Sequence, residues 1–100
     1  MNNTNGYKLT SGGTHYRQDT PEELIKVLER ARVSRQRVAI VYRAESAPVY
    51  GRIGRSMGPT LRVPLILHTT RSNGGEPVCT SIIAEVRTSD GSHILYQATS

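Results

Sequence analysis

Phenylalanine and tryptophan are absent from this chain, and cysteine occurs once. With neither residue available, a 100-residue chain that is 36 % hydrophobic has to build its core mainly from Val, Ile and Leu, helped by five Tyr. That suffices for one thin core in one domain and leaves no room for a catalytic domain beside a regulatory one. The lone Cys79 forbids an intramolecular disulfide, which excludes a disulfide-built secreted scaffold and points to a reducing, cytoplasmic setting. No run of about 18 apolar residues occurs, and the first ten residues lack the basic and apolar regions of a signal peptide. Neither a membrane span nor a leader is expected.

Lysine is scarce too: of 13 basic residues only Lys8 and Lys26 are lysines, and the others are arginine. Plain solubility would be served by either type, whereas the planar guanidinium pairs bidentately with phosphates and stacks on bases. Position sharpens the bias. From Arg30 to Arg71 nine arginines face one acid, Glu45, a local charge of +8 in a chain whose net charge is +5, so the flanks are acidic overall. Such polarity draws an anionic partner, either nucleic acid or an acidic protein surface. The plainer alternative is a solvated basic surface.

Residues 1 to 18 are rich in Asn, Thr, Ser and Gly with little to bury, and read as a flexible arm before a single domain over 19–100. Thr20-Pro21-Glu22-Glu23 has the form of a helix start, with Thr20 as N-cap, Pro21 in the first turn and Glu23 completing a capping box. Leu24, Val27, Leu28 and Ala31 then recur at helical spacing, which predicts a helix over about 21–32. After it the period changes to two. Val38, Ile40 and Tyr42 share one face of a strand over 37–43, and Arg37, Ala39, Val41 and Arg43 share the other. A second strand over 49–55 sets Val49, Gly51 and Ile53 against Tyr50 and Arg52, and its Gly51 and Gly54 suit a sharp bend or a bulge. Leu61 to His68 reads as a third strand with Val63, Leu65 and Leu67 inward, where Pro64 marks an edge, a bulge or a strand start. Residues 69–77 have loop composition, 78–88 form the longest apolar strand, and Asp90-Gly91 turns it into a last strand at 93–96.

One helix followed by five short, bent antiparallel strands predicts a mainly β, α+β fold: an SH3-like or Sm-like small barrel. The element order resembles the Sm-like version, although Arg55-Ser56-Met57-Gly58 stands where that family carries Asp-x-x-Met-Asn. More locally, Gly51-Arg-Ile-Gly-Arg-Ser-Met-Gly-Pro59, Val63-Pro-Leu65, Arg71-Ser-x-Gly-Gly75 and Leu95-Tyr96 resemble a group of small uncharacterised proteins carried on bacterial mobile elements and prophages. That resemblance spans about residues 37–96 and implies a bacterial or phage setting and nothing catalytic.

Chemistry-bearing patterns are weak. Gly54-Arg-Ser-Met-Gly58-Pro59 is not a P-loop, because Gly-Lys-Ser/Thr is missing, Pro59 removes a donor and an extended segment follows. Cys79 begins an apolar stretch and reads as a small core residue, although a Cys–His pair with His68 or His93 is conceivable. His15, His68, Cys79 and His93 lack the close spacing of a zinc site, and no carboxylate pair suits acid–base work. No enzyme, metal or cofactor is expected.

The binding expectation rests on Arg35, Arg37, Arg43, Arg52, Arg55, Arg62 and Arg71 with Tyr50, the aromatic that alternation sets beside Arg52 on the face away from Val49 and Ile53. Its partner would be DNA or RNA. The alternative is a mobile-element module that docks on a host protein complex through a strand edge or the 69–77 loop. An edge strand interrupted by Pro64 also leaves a homo-oligomer open.

Overall fold

The stripe Leu24, Val27, Leu28, Ala31 does fold as a helix, two residues longer at its end than read: α1 spans Glu22–Ser34 and buries Leu24, Ile25, Leu28 and Ala31, while Val27 is half-buried. In the computed structural model residues 7–9, 15–45, 47–55, 65–67 and 75–99 are described. Among them α1 is preceded by the short strands β1 (Tyr7–Leu9) and β2 (His15–Arg17). It is followed by β3 (Arg37–Tyr42), β4 (Val49–Gly54), β5 (Leu65–Leu67), β6 (Gly75–Pro77), a 3-10 turn (Thr80–Ile82), β7 (Ile83–Thr88) and β8 (Ile94–Gln97). The last six strands form one antiparallel sheet in the order β6-β5-β4-β3-β7-β8, and β1 and β2 pair separately. The chain is thus α+β with mostly strands. Among the described residues β6 and β8 end the sheet and do not pair with each other.

Both ends of α1 depart from expectation. Thr20 does not cap it: Pro21 occupies that position with no side-chain bond, while the buried Thr20 hydroxyl lies 3.1 Å from Thr80 Oγ1. Burial turns that hydroxyl toward another buried hydroxyl instead of the helix. At the other end Arg35 adopts φ 57°, ψ 35°, in the left-handed region. The Arg35 N–H donates to Arg32 O (3.2 Å) and the Gln36 N–H to Ala31 O (3.0 Å), the paired bonds of a Schellman turn whose left-handed position glycine normally fills.

Tyr16, placed by composition in an arm with little to bury, is completely buried. Its hydroxyl donates to Glu29 Oε2 at 2.6 Å, and Arg32 Nη2 donates to Glu29 Oε1 at 2.8 Å. Burial and the Glu29 carboxylate push the Tyr16 phenol well above its ordinary range, so it stays a donor. β2 is thereby tied to α1. The helix lies over β4 and β8, and its apolar side meets Val38, Ile40, Ile53, Ile66, Val78, Ile83 and Val86.

Register keeps that core on one face: Val38 stands opposite Gly51, Ile40 between Val49 and Val86, and Ile53 opposite Ile66. Ile66 is 1 % exposed, so the inward position of β5 is Ile66 and not the 63-65-67 phase. β5 is interior to the sheet and begins one residue after Pro64. Six strands follow the helix, not five, because Gly75–Pro77, read as loop, pairs with β5. Pro77 is tolerated there because β6 is the sheet edge. The bulges fall between Val41 and Tyr42 and between Val86 and Arg87, while β4, with its two glycines, keeps continuous register with both neighbours. The 78–88 stretch begins with the 3-10 turn and becomes strand only at Ile83. No helix among the described residues is long and apolar enough to cross a membrane.

Candidate nucleic-acid interface

Strand alternation that sends Val38 and Ile40 inward sends Arg37, Ala39 and Val41 outward, and the same holds for Tyr50 and Arg52 of β4 and for Glu85 and Arg87 of β7. Pairing then sets these residues side by side. Arg37 stands directly opposite Arg52, and Ala39 lies between Tyr50 on β4 and Arg87 on β7. Ala39 is only 3 % exposed yet does not belong to the core cluster, in keeping with its place on the far face.

Like charges facing each other across a ladder are unfavourable: two exposed unit charges about 5 Å apart repel by roughly 1 kcal/mol even in water. Arg35 and Arg55 extend the same patch, since β3 begins where antiparallel β4 ends. All four are exposed, and among the described residues none makes an ion pair. The basic groups that are neutralised lie elsewhere: Arg32 by Glu29, Arg17 by Asp19, and Arg87 by Glu85 at 2.6 Å. Tyr50 is 44 % exposed, whereas Tyr42 and Tyr96 pack against the core.

Not every predicted site residue joins this patch. Arg43 is exposed at the opposite end of β3, six residues or about 20 Å from Arg37. There it lines an open cleft of about 190 Å³ with Ala84, Glu85, Gln97 and Ala98. Arg62 and Arg71 lie outside the described residues. Arg87, which lies beyond the 30–71 arginine run, is brought onto the outward face by the β3–β7 register. Its signal was available in the period of β7, since Arg87 alternates with the inward Val86.

Cys79 is exposed, not part of the core, because Val78 takes the buried position beside it. Its N–H donates to the Tyr42 hydroxyl (3.4 Å), whose own acidity burial weakens. A Cys79–His93 pair is excluded by topology: Cys79 sits at the Tyr42 end of the β3–β7 ladder and His93 beyond Thr88 at the other. His68 is outside the described residues. Among the described residues no three His, Cys, Asp or Glu come together to hold a metal ion.

The β7–β8 turn reaches the same end of the sheet as Arg37, because Val38 pairs with Thr88. Asp90 Oδ1 there accepts bonds from the Thr88 hydroxyl (2.7 Å), the Ser92 N–H (3.0 Å) and the Ser92 hydroxyl (2.8 Å), with Gly91 at φ 78°. These donors, the Thr88 hydroxyl foremost, hold the Asp90 carboxyl well below the usual carboxylate range. Its charge is committed to the turn.

No family model, curated protein or solved structure matches the chain.

Proposed function

We propose that this chain is a non-enzymatic binding domain for nucleic acid, DNA or RNA, which it holds by its phosphates. The observation that carries the reading is the cross-strand opposition of Arg37 and Arg52, with Arg35 and Arg55 at the same end and no acid paired to any of the four among the described residues. Guanidinium groups kept close together without partners are stabilised by an anion that bridges them, and a polyanion offers one after another. Arg43 is a separate contact about 20 Å along the sheet. The same reading takes the sheet as a small barrel of SH3-like or Sm-like type. The meander β3 to β6, with β7 returned beside β3, is the feature that supports it. A bacterial or phage setting is the context that the sequence resemblance implies, and the lone cysteine favours the cytoplasm.

The test is fluorescence anisotropy with labelled 20-nucleotide DNA and RNA over a range of salt. The four grouped arginines contribute about −2.8 to −3.6 to the log–log slope, and removing two of them makes it shallower by about 1.4 to 1.8. Arg37→Ser/Arg52→Ser is the variant to use, and weaker binding with that shallower slope, without loss of fold, is the expected result. Salt-independent binding refutes the reading. So does capture from lysate of a stoichiometric protein partner that survives nuclease, with no oligonucleotide bound.

A further inference from the structure

We infer that the outward face takes single-stranded nucleic acid in preference to duplex, with a phosphate bridging Arg37 and Arg52 and the adjoining base stacked on Tyr50. This rests on the nucleic-acid reading above and names the class of ligand for the same site. Among the tyrosines whose side chains are described, Tyr16 is fully buried and Tyr42 and Tyr96 pack on the core, while Tyr50 is 44 % exposed. Its ring is not among the side chains packed on the core.

Its neighbours fit one nucleotide. Tyr50 and Arg52 lie two residues apart on one strand, about 6.8 Å, and Arg37 is diagonal to Tyr50 at about 7–8 Å. Both arginines are therefore neighbours of Tyr50 on this face. Directly across from Tyr50 stands Ala39, the smallest side chain on the face, so no bulky partner on β3 competes with a base for the ring. Beyond Ala39, Arg87 is engaged by Glu85, which leaves the phosphate to Arg37 and Arg52.

A duplex keeps its bases stacked inside and presents a sheet face with phosphates alone, whereas a single strand can lay a base on an aromatic ring. Tyr50 thus contributes only to single-strand binding. The arginines contribute to both.

The experiment compares wild type with Tyr50→Ser and Tyr50→Phe by anisotropy at one fixed salt concentration. The probes are labelled 12-nucleotide oligothymidylate, the same backbone with abasic sites, and a duplex with the same number of phosphates. Circular dichroism melts confirm that each variant is folded. Tyr50→Ser weakens the oligothymidylate complex by roughly 5- to 160-fold and leaves the abasic and duplex complexes unchanged, and Tyr50→Phe binds as wild type. Equal affinity of wild type for oligothymidylate and the abasic backbone, or an unchanged oligothymidylate affinity in Tyr50→Ser, overturns the single-strand inference while leaving phosphate binding intact. Failure of every probe to bind at low salt overturns both.

Discussion

Replacing Arg35 by glycine should stabilise the fold and weaken ligand binding at once. Arg35 holds φ 57° immediately after α1, where a β-carbon costs roughly 1–2 kcal/mol. Glycine removes that strain but gives back about 0.5–1 kcal/mol through its greater freedom in the unfolded chain. The backbone bonds of the turn, Arg35 N–H to Arg32 O and Gln36 N–H to Ala31 O, do not depend on the side chain. The exposed guanidinium has no ion-pair partner to lose among the described residues. The net expectation is a gain of about 0–1.5 kcal/mol, centred near 0.75, which at its centre raises the Tm of a domain of this size by about 3–6 °C. Urea unfolding followed by circular dichroism measures it, with Arg35→Ala as the control that removes the charge and keeps the strain. In the anisotropy titration the glycine variant loses one phosphate contact, so its salt slope becomes shallower by about 0.7–0.9. A glycine variant no more stable than the alanine variant would refute the strain argument, and a slope identical to wild type would remove Arg35 from the interface.

Leu28, fully buried in the centre of the helix stripe, should cost about 2–5 kcal/mol when cut to alanine, and an unfolding midpoint close to wild type would show that the core does not close around it. Tyr16→Phe removes the hydroxyl bonded to Glu29 but leaves the Arg32–Glu29 pair, and a bond to a charged group puts the expected loss at about 1.5–3 kcal/mol in urea. The raised Tyr16 phenol contributes stability that is full below its unfolded value of about 10 and is lost as pH rises beyond it. The phenylalanine variant should therefore lose less stability than wild type between neutral and strongly alkaline pH. Asp90 has the opposite sign. Its depressed carboxyl contributes stability above the unfolded value of about 3.9 that fades as pH falls, so the Tm difference between wild type and Asp90→Asn should be present at pH 7 and shrink near pH 3. A difference that is constant with pH would show that the charge is irrelevant to the turn.

Legibility in the sequence followed periodicity. α1 carries an unbroken stripe and β3 and β4 alternate cleanly, so their faces, and with them the outward set Arg37, Tyr50 and Arg52, could be read directly. Leu65-Ile66-Leu67 is apolar throughout and has no phase of its own; pairing with Ile53 decides that Ile66 goes in. Gly75-Glu76-Pro77 contains turn formers and is a strand only because β5 lies beside it. The Tyr16–Glu29–Arg32 cluster joins residues 13 positions apart across a turn, a relation that no period encodes. For the candidate site, the arginine count pointed to a region but not to how its residues are arranged. Strand length carries Arg43 to the far end, and pairing brings in Arg87 from outside the arginine-rich stretch.

The register that builds the core also forbids escape from the arginine pair. Slipping β3 against β4 by one residue would turn Val38 and Ile40 out to solvent and bring Arg37 inward, a far larger loss than the repulsion it relieves. The facing backbone positions of the two arginines are thus fixed by hydrophobic packing on the opposite side of the same strands. Their guanidinium groups can relax only by splaying apart or by sharing an anion. Since the core makes no use of their side chains, Arg37→Ser/Arg52→Ser should unfold no more easily than wild type at low salt. A clear destabilisation by that double substitution would mean that the pair is already held by contacts within the chain, and the case for an external polyanion would fall with it.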